Sequence, residues 1–238
     1  MKSSPLIPLE EFINKTTPHN NLNGRTPSQG TVRHMWESKQ LYNVLDSLKD
    51  NCSVLDYGCH WGTLKDTLHQ HYPKAKYYGL DLKIVIDQIT NQTTNSIPTT
   101  GLFQDEAPKE DNTYMGYLDE IDDILPKVNC MVLGSIFTHL DWESIIEVLN
   151  KTLPYYENGF ELGFSAFLGD NYALYGQGHY GEPSTYHVTI LRKEQLQDYC
   201  KENNLELTLK PYVQKLDHVV PGGQTYQSFL NIKKSKNQ

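Results

Sequence analysis

Ser53-Val54-Leu55-Asp56-Tyr57-Gly58-Cys59-His60-Trp61-Gly62 is the stretch whose reading decides the fold. Val54 and Leu55 open it as an apolar, β-favouring run; the chain then breaks at Asp56 into glycines at 58 and 62, and a helical pattern follows. A buried strand, a tight turn and a helix start are expected in that order. Glycine suits such a turn because it accepts positive φ and lets a ligand approach bare backbone. The free N–H groups of the helix start then face whatever lies beyond the strand's carboxyl end.

Working outward, residues 63–72 read as a helix that carries Leu64 and Leu68 inward and ends at Pro73. Lys76-Tyr77-Tyr78-Gly79-Leu80-Asp81-Leu82 then forms a second apolar and aromatic run closing on an acid. Asp81 stands about 20 positions beyond the turn, the distance at which a strand-end acid can accept hydrogen bonds from the ribose hydroxyls of an adenosine ligand. The alternative reading of Asp81 is a cap on the following helix. Cys130-Met131-Val132-Leu133-Gly134-Ser135 is a continuous apolar run, expected as a central strand buried on both faces. It empties into Ile136-Phe137-Thr138-His139-Leu140-Asp141, with a helix from Trp142 to about Leu153 and an N-cap at Asp141.

The nine residues from Val54 to Gly62 resemble the first motif of the class I S-adenosylmethionine-dependent methyltransferases, with His60 where the family has its middle glycine. The string after Ser135 is also similar to that family. The resemblance covers roughly residues 50–233 and implies an α/β fold: a Rossmann-like, seven-stranded, mostly parallel sheet with one antiparallel strand and helices on both faces. It implies S-adenosyl-L-methionine as cofactor, bound by Asp56, Gly58, Cys59, His60 and Gly62 at the turn and by Asp81 and Leu82 after the second strand. It further implies that Gln104 or Asp105, after a short third strand at Leu102 and Phe103, borders the adenine, and that Ser135 and Phe137 complete the crevice.

The alternation of strands and helices is consistent with that architecture. A helix is expected from Thr31 to about Leu48, a short helix within residues 106–126, a fifth strand over residues 160–167, and a long polar loop from Gly169 to His187. A helix over 192–203 and an antiparallel pair at 205–212 and 224–232 close the chain. The expected division is an N-terminal arm and helix, residues 1–48, able to act as a lid, followed by the main domain, residues 49–238. Glu161 is oddly placed for a buried strand.

The 238 residues suffice for one well-packed domain. A formal net charge of −8 argues against a nucleic-acid partner held through phosphates. Cys52, Cys59, Cys130 and Cys200 have neither metal-ligand spacing nor a disulfide framework, and read as reduced thiols. The first residues do not form a signal peptide and no apolar stretch reaches the roughly 20 residues of a membrane span, so a cytoplasmic protein is expected.

For chemistry, the resemblance implies methyl transfer to a small-molecule or glycan-type acceptor, with O-methylation slightly preferred over N-methylation because histidines are at hand. His139, His179 and His187 are the candidate bases. The acid that would complete a magnesium site after the fourth strand is missing, since Ser135 stands there; no metal is expected. A dinucleotide-dependent oxidoreductase on a Rossmann-like fold and a non-catalytic binding relative are the alternatives. The sequence leaves the oligomeric state open.

Overall fold

A computed structural model describes residues 40–60, 62–87, 112–171, 173–177, 186–215 and 226–235. Among them are nine strands: β1 (Ser53–Tyr57), β2 (Lys76–Asp81), β3 (Thr113–Tyr117), β4 (Cys130–Leu133), β5 (Glu161–Gly169), β6 (Ala173–Gln177), β7 (Tyr186–Arg192), β8 (Leu205–Lys215) and β9 (Tyr226–Lys234). The main helices are α1 (Thr63–His71), α2 (Trp142–Thr152) and α3 (Lys193–Glu202).

The sheet runs β3-β2-β1-β4-β5, every neighbouring pair parallel. β9 lies antiparallel along β5 from Glu161 to Leu168, and β8 pairs antiparallel with β9. These seven strands are the expected mostly parallel sheet with its reversed strand. Parallel neighbours cannot be joined by tight turns, so helices cross between them and cover both faces. Accordingly β1, β4 and β5 are almost continuously apolar and buried, with Leu55, Val132, Leu162 and Phe164 inaccessible to solvent.

The remaining two strands correct the sequence reading. Part of the expected 169–187 loop is the hairpin β6–β7, which extends the sheet. β7 pairs in parallel with Phe167, Leu168 and Gly169. Since β9 occupies one edge of β5 as far as Leu168, β7 takes the edge used by β4, just past the point where β4 ends. Residues 113–117, within the acidic 106–126 segment, add a strand beside β2 that the sequence reading lacks, while the short helix expected in that segment is found at Ile121–Ile124, just before Pro126. The expected third strand at Leu102 and Phe103 lies outside the described residues.

Residues 40–44 are helical, and the helix stops earlier than the expected Leu48. Leu41, Tyr42, Val44 and Leu45 pack with Val54, Leu64 and Leu68 in one apolar cluster on this face of the sheet. The Tyr42 hydroxyl donates to the Leu64 carbonyl at 2.8 Å, tying this segment to α1. On the other face, α2 and α3 cover a second cluster that includes Leu55, Leu133, Phe137, Phe164 and Leu196. Glu161, buried at the amino end of β5, accepts hydrogen bonds from the backbone N–H groups of Asp46 (2.7 Å) and Ser47 (3.2 Å). Its carboxylate satisfies donors freed where the helix stops, which accounts for a charge in an otherwise apolar strand.

Candidate functional site

The carboxyl ends of β1, β2 and β4 lie side by side, and the chain leaves β1 and β4 in an unusual conformation. Gly58 (φ 81°), His60 (φ 45°), Gly62 (φ 74°) and Ser135 (φ 57°) all adopt left-handed backbone. At Gly58 the need for glycine is double, because an added Cβ would also run into the Ile136 side chain. Gly58 and Cys59 both donate their N–H to the Leu80 carbonyl, at 2.7 and 3.1 Å, so the turn after β1 folds over the end of β2.

Asp81 is the point at which these segments meet. Its Oδ2 accepts the His60 N–H at 2.6 Å and its Oδ1 accepts the Leu82 N–H at 2.7 Å. A carboxylate offers about four acceptor positions, so two backbone bonds leave capacity for further donors. The bond to His60 also explains how a residue with a side chain holds the position where the family motif has glycine. The strain of a left-handed non-glycine residue, about 1–3 kcal/mol, is offset by a charge-assisted hydrogen bond, and His60 as a whole is exposed.

Asp56 is buried at the end of β1, with its Oδ2 accepting the Tyr77 hydroxyl at 2.5 Å. Burial pushes its carboxyl up to about 7; the Tyr77 hydrogen bond works against that rise and the Asp81 charge adds to it. The Cys59 thiol, also buried, is pushed upward by desolvation, with the charges of Asp56 and Asp81 adding to the effect, and so stays protonated and unreactive. α1 begins directly beyond the turn. Its N-cap, Gly62, has no side chain to cap the first N–H groups, which leaves them for water or for an anionic group.

The loop after β4 is held by hydroxyl groups. Ser135 N–H donates to Ser165 Oγ at 2.8 Å, and Thr138 Oγ1 donates to the Ser135 carbonyl at 2.5 Å. From β7, Thr189 N–H donates to the Thr138 carbonyl at 2.8 Å and Thr189 Oγ1 to the Leu140 carbonyl at 2.6 Å. Asp141 caps α2 by accepting from Ser144 N–H at 2.8 Å, as its position in the sequence predicts.

The structure therefore brings Asp56, Gly58, Cys59, His60, Gly62, Asp81 and Leu82 together across the ends of β1 and β2. Ser135 and His139 follow on the loop after the adjacent β4. Phe137 differs from the rest: its ring is fully buried against Phe164, 5.0 Å between centroids, so only its backbone is available to a ligand. His187 lies in β7, cross-strand from Gly176. His179, Gln104 and Asp105 lie outside the described residues. Sequence reasoning missed Tyr77, Ile136, Ser165 and Thr189. The signal for Thr189 was a polar residue between the apolar Val188 and Ile190, all three of which are buried.

The strand order decides the comparison with known architectures. An antiparallel β9 between β5 and β8 gives 3-2-1-4-5-9-8, whereas doubly wound dinucleotide-binding sheets continue in parallel. The fold is that of a methyltransferase. A SAM-dependent methyltransferase from Methanosarcina mazei superposes with a TM-score of 0.54 at 13% identity, covering 82% of this chain and 96% of its own. The glycopeptide N-methyltransferase MtfA in complex with SAM gives a TM-score of 0.55 at 11% identity, covering 85% and 94%. The mitomycin 7-O-methyltransferase MmcR gives 0.55 at 11% identity, covering 95% of this chain and 67% of its own. No family model matches the sequence, and no curated protein matches it. The methyltransferase fold is therefore carried here by a sequence far from these relatives.

Proposed function

We propose that the chain is an S-adenosylmethionine-dependent methyltransferase acting on a small-molecule or glycan-type acceptor, with oxygen slightly preferred over nitrogen. The observation that carries the reading is the Asp81 carboxylate, held against the glycine turn in a sheet of methyltransferase order. The residues present fit the cofactor. Asp81 retains acceptor capacity for the two ribose hydroxyls, and the uncapped start of α1 offers N–H groups to the carboxylate of the amino-acid part. Leu82, exposed beside Asp81, supplies an apolar surface for the adenine. Gln104 and Asp105 would border that ring, and the backbone around Ser135 and Phe137 would close the acceptor side.

Bound there, the cofactor supplies a methyl group already activated by its sulfonium charge. The chain's own task is mostly alignment, which can account for about 7–11 kcal/mol in favourable cases. An oxygen acceptor must also lose a proton, and His139 on the loop after β4 is the first candidate to take it on an imidazole nitrogen, with His179 and His187 as the others. The N-terminal 1–48 segment is proposed as a lid over the 49–238 domain. In support, Leu41, within the helical residues 40–44, lies beside Gly134 at the carboxyl end of β4 and so close to the crevice.

No helix among the described residues is long and apolar enough to cross a membrane. All four cysteines are buried and unpaired. With the acidic net charge, these features support a cytoplasmic enzyme without a nucleic-acid partner. The deciding experiment is calorimetric titration of the whole chain with S-adenosylhomocysteine and, separately, with NAD+. Binding of the former with a matching rise in Tm is expected. Binding of NAD+ alone would overturn the assignment in favour of an oxidoreductase.

A further inference from the structure

We infer that Thr189, in the hairpin added to the methyltransferase sheet, is a positioning residue for His139. The inference rests, for its functional consequence only, on the methyl-transfer reading above. Thr189 is fully buried, yet it carries a hydroxyl into an apolar strand between Val188 and Ile190. Its two donors are spent on one target: the N–H goes to the carbonyl of Thr138, and Oγ1 goes to the carbonyl of Leu140. These are the residues on either side of His139. Two carbonyls flanking one residue, held from a single residue of another strand, restrict the intervening peptide planes and so the direction in which the His139 Cα–Cβ bond leaves the backbone.

The clamp is closed from the other side by the loop itself. His139 N–H donates to the Ile136 carbonyl at 2.9 Å, and Thr138 Oγ1 donates to the Ser135 carbonyl. Ser135 is in turn held by Ser165 of β5. The five residues from Ser135 to His139 are thus anchored at their start by β5 and at their end by β7. β7 pairs in the sheet with the same β5 strand, two to four residues beyond Ser165. A loop fixed between two hydrogen-bonded strands keeps a reactive side chain within the few tenths of an ångström that near-attack alignment demands. Valine at 189 would keep the shape and the N–H bond but leave the Leu140 carbonyl without its donor; serine would keep that donor.

The test uses the full chain labelled with 13C-histidine, with the His139 ring resonance assigned by its loss in His139→Gln. A single sharp ring signal is expected in the unmodified protein and in Thr189→Ser. In Thr189→Val it is expected to broaden or split, with S-adenosylhomocysteine affinity by calorimetry staying within threefold. An unchanged His139 signal in Thr189→Val, or equal damage by serine and valine, would overturn the inference. Should the valine variant fail to fold, the unmodified protein decides: the Thr189 hydroxyl proton is expected to exchange slowly enough with water to be observed, and fast exchange would refute the clamp. If the unmodified chain does not bind S-adenosylhomocysteine, the methyltransferase reading fails while the His139 measurement still judges the clamp.

Discussion

Asp56→Asn gives the most direct measure of the electrostatics beneath the glycine turn. The carboxyl is buried at the end of β1 and its pKa rises from 3.8 to about 7, chiefly through desolvation. In the unfolded chain the group ionises near 3.8, so between that value and about 7 the folded protein holds a proton that the unfolded chain has released. Stability from this group is complete below pH 3.8 and is lost as pH rises through 7. Integrating from pH 5 to pH 8 with those two pKa values gives a loss of roughly 2–3 kcal/mol. Asparagine has nearly the same shape, can accept the Tyr77 hydroxyl, and does not titrate. The unmodified protein should therefore lose roughly 2–3 kcal/mol relative to Asp56→Asn over this range, or roughly 5–10 °C in Tm for a chain of this size. Half-buried Asp66 and His69 also titrate off their ordinary values, upward and downward respectively, but both remain in the variant and cancel in the difference. Thermal unfolding of both proteins at half-unit pH intervals is the assay. Parallel Tm profiles would show that Asp56 is already ionised in the fold, and the burial argument would be wrong.

Four other substitutions probe the same region and its supports. Asp81→Ala should weaken S-adenosylhomocysteine binding more than tenfold by calorimetry, since it removes the proposed ribose acceptor and frees the His60 N–H. Gly58→Ala should cost about 2–3 kcal/mol in urea unfolding, through its positive φ and its collision with Ile136. Adding Ile136→Ala should recover part of that loss, and strict additivity would deny the contact. Glu161→Ala leaves two backbone N–H groups without their acceptor and should cost about 2–4 kcal/mol in the same assay; a loss under about 0.5 kcal/mol would mean that water replaces the carboxylate.

The parts of the fold legible in the sequence are those where burial on both faces leaves a continuous apolar signature. Val54-Leu55 and Cys130 to Leu133 are such runs, and the spacing to Asp81 located the end of the second strand. β3 escaped because an edge strand need not be apolar. The strand from Thr113 to Tyr117 is mostly half-buried and lies within an acidic segment, with Asp119 and Glu120 close behind, that carries no continuous apolar run. β6 and β7 escaped because Gly, Tyr and His dominate the segment, and its only aliphatic alternation is interrupted by Thr189.

At the site, residue types identified the acids and glycines, because turns and strand ends limit what can stand there. Their partners were not legible. Tyr77 meets Asp56 through the pairing of β1 with β2, and Ser165 meets Ser135 through the pairing of β4 with β5; both contacts are products of register, not of local sequence. His60 shows the same limit from the other direction. A missing glycine in the motif proves compatible with the turn once Asp81 is seen to hold its N–H.

The β6–β7 hairpin joins the rest of the sheet through only three residue pairs at the tip of β5, whereas β9 runs along eight. A hairpin attached by so short a seam can be lengthened, shortened or exchanged without asking the other seven strands to repack. Where such a hairpin also grips the neighbouring loop through one threonine, a change at the periphery is felt at His139 while the turn after β1 and the Asp81 carboxylate stay as they are.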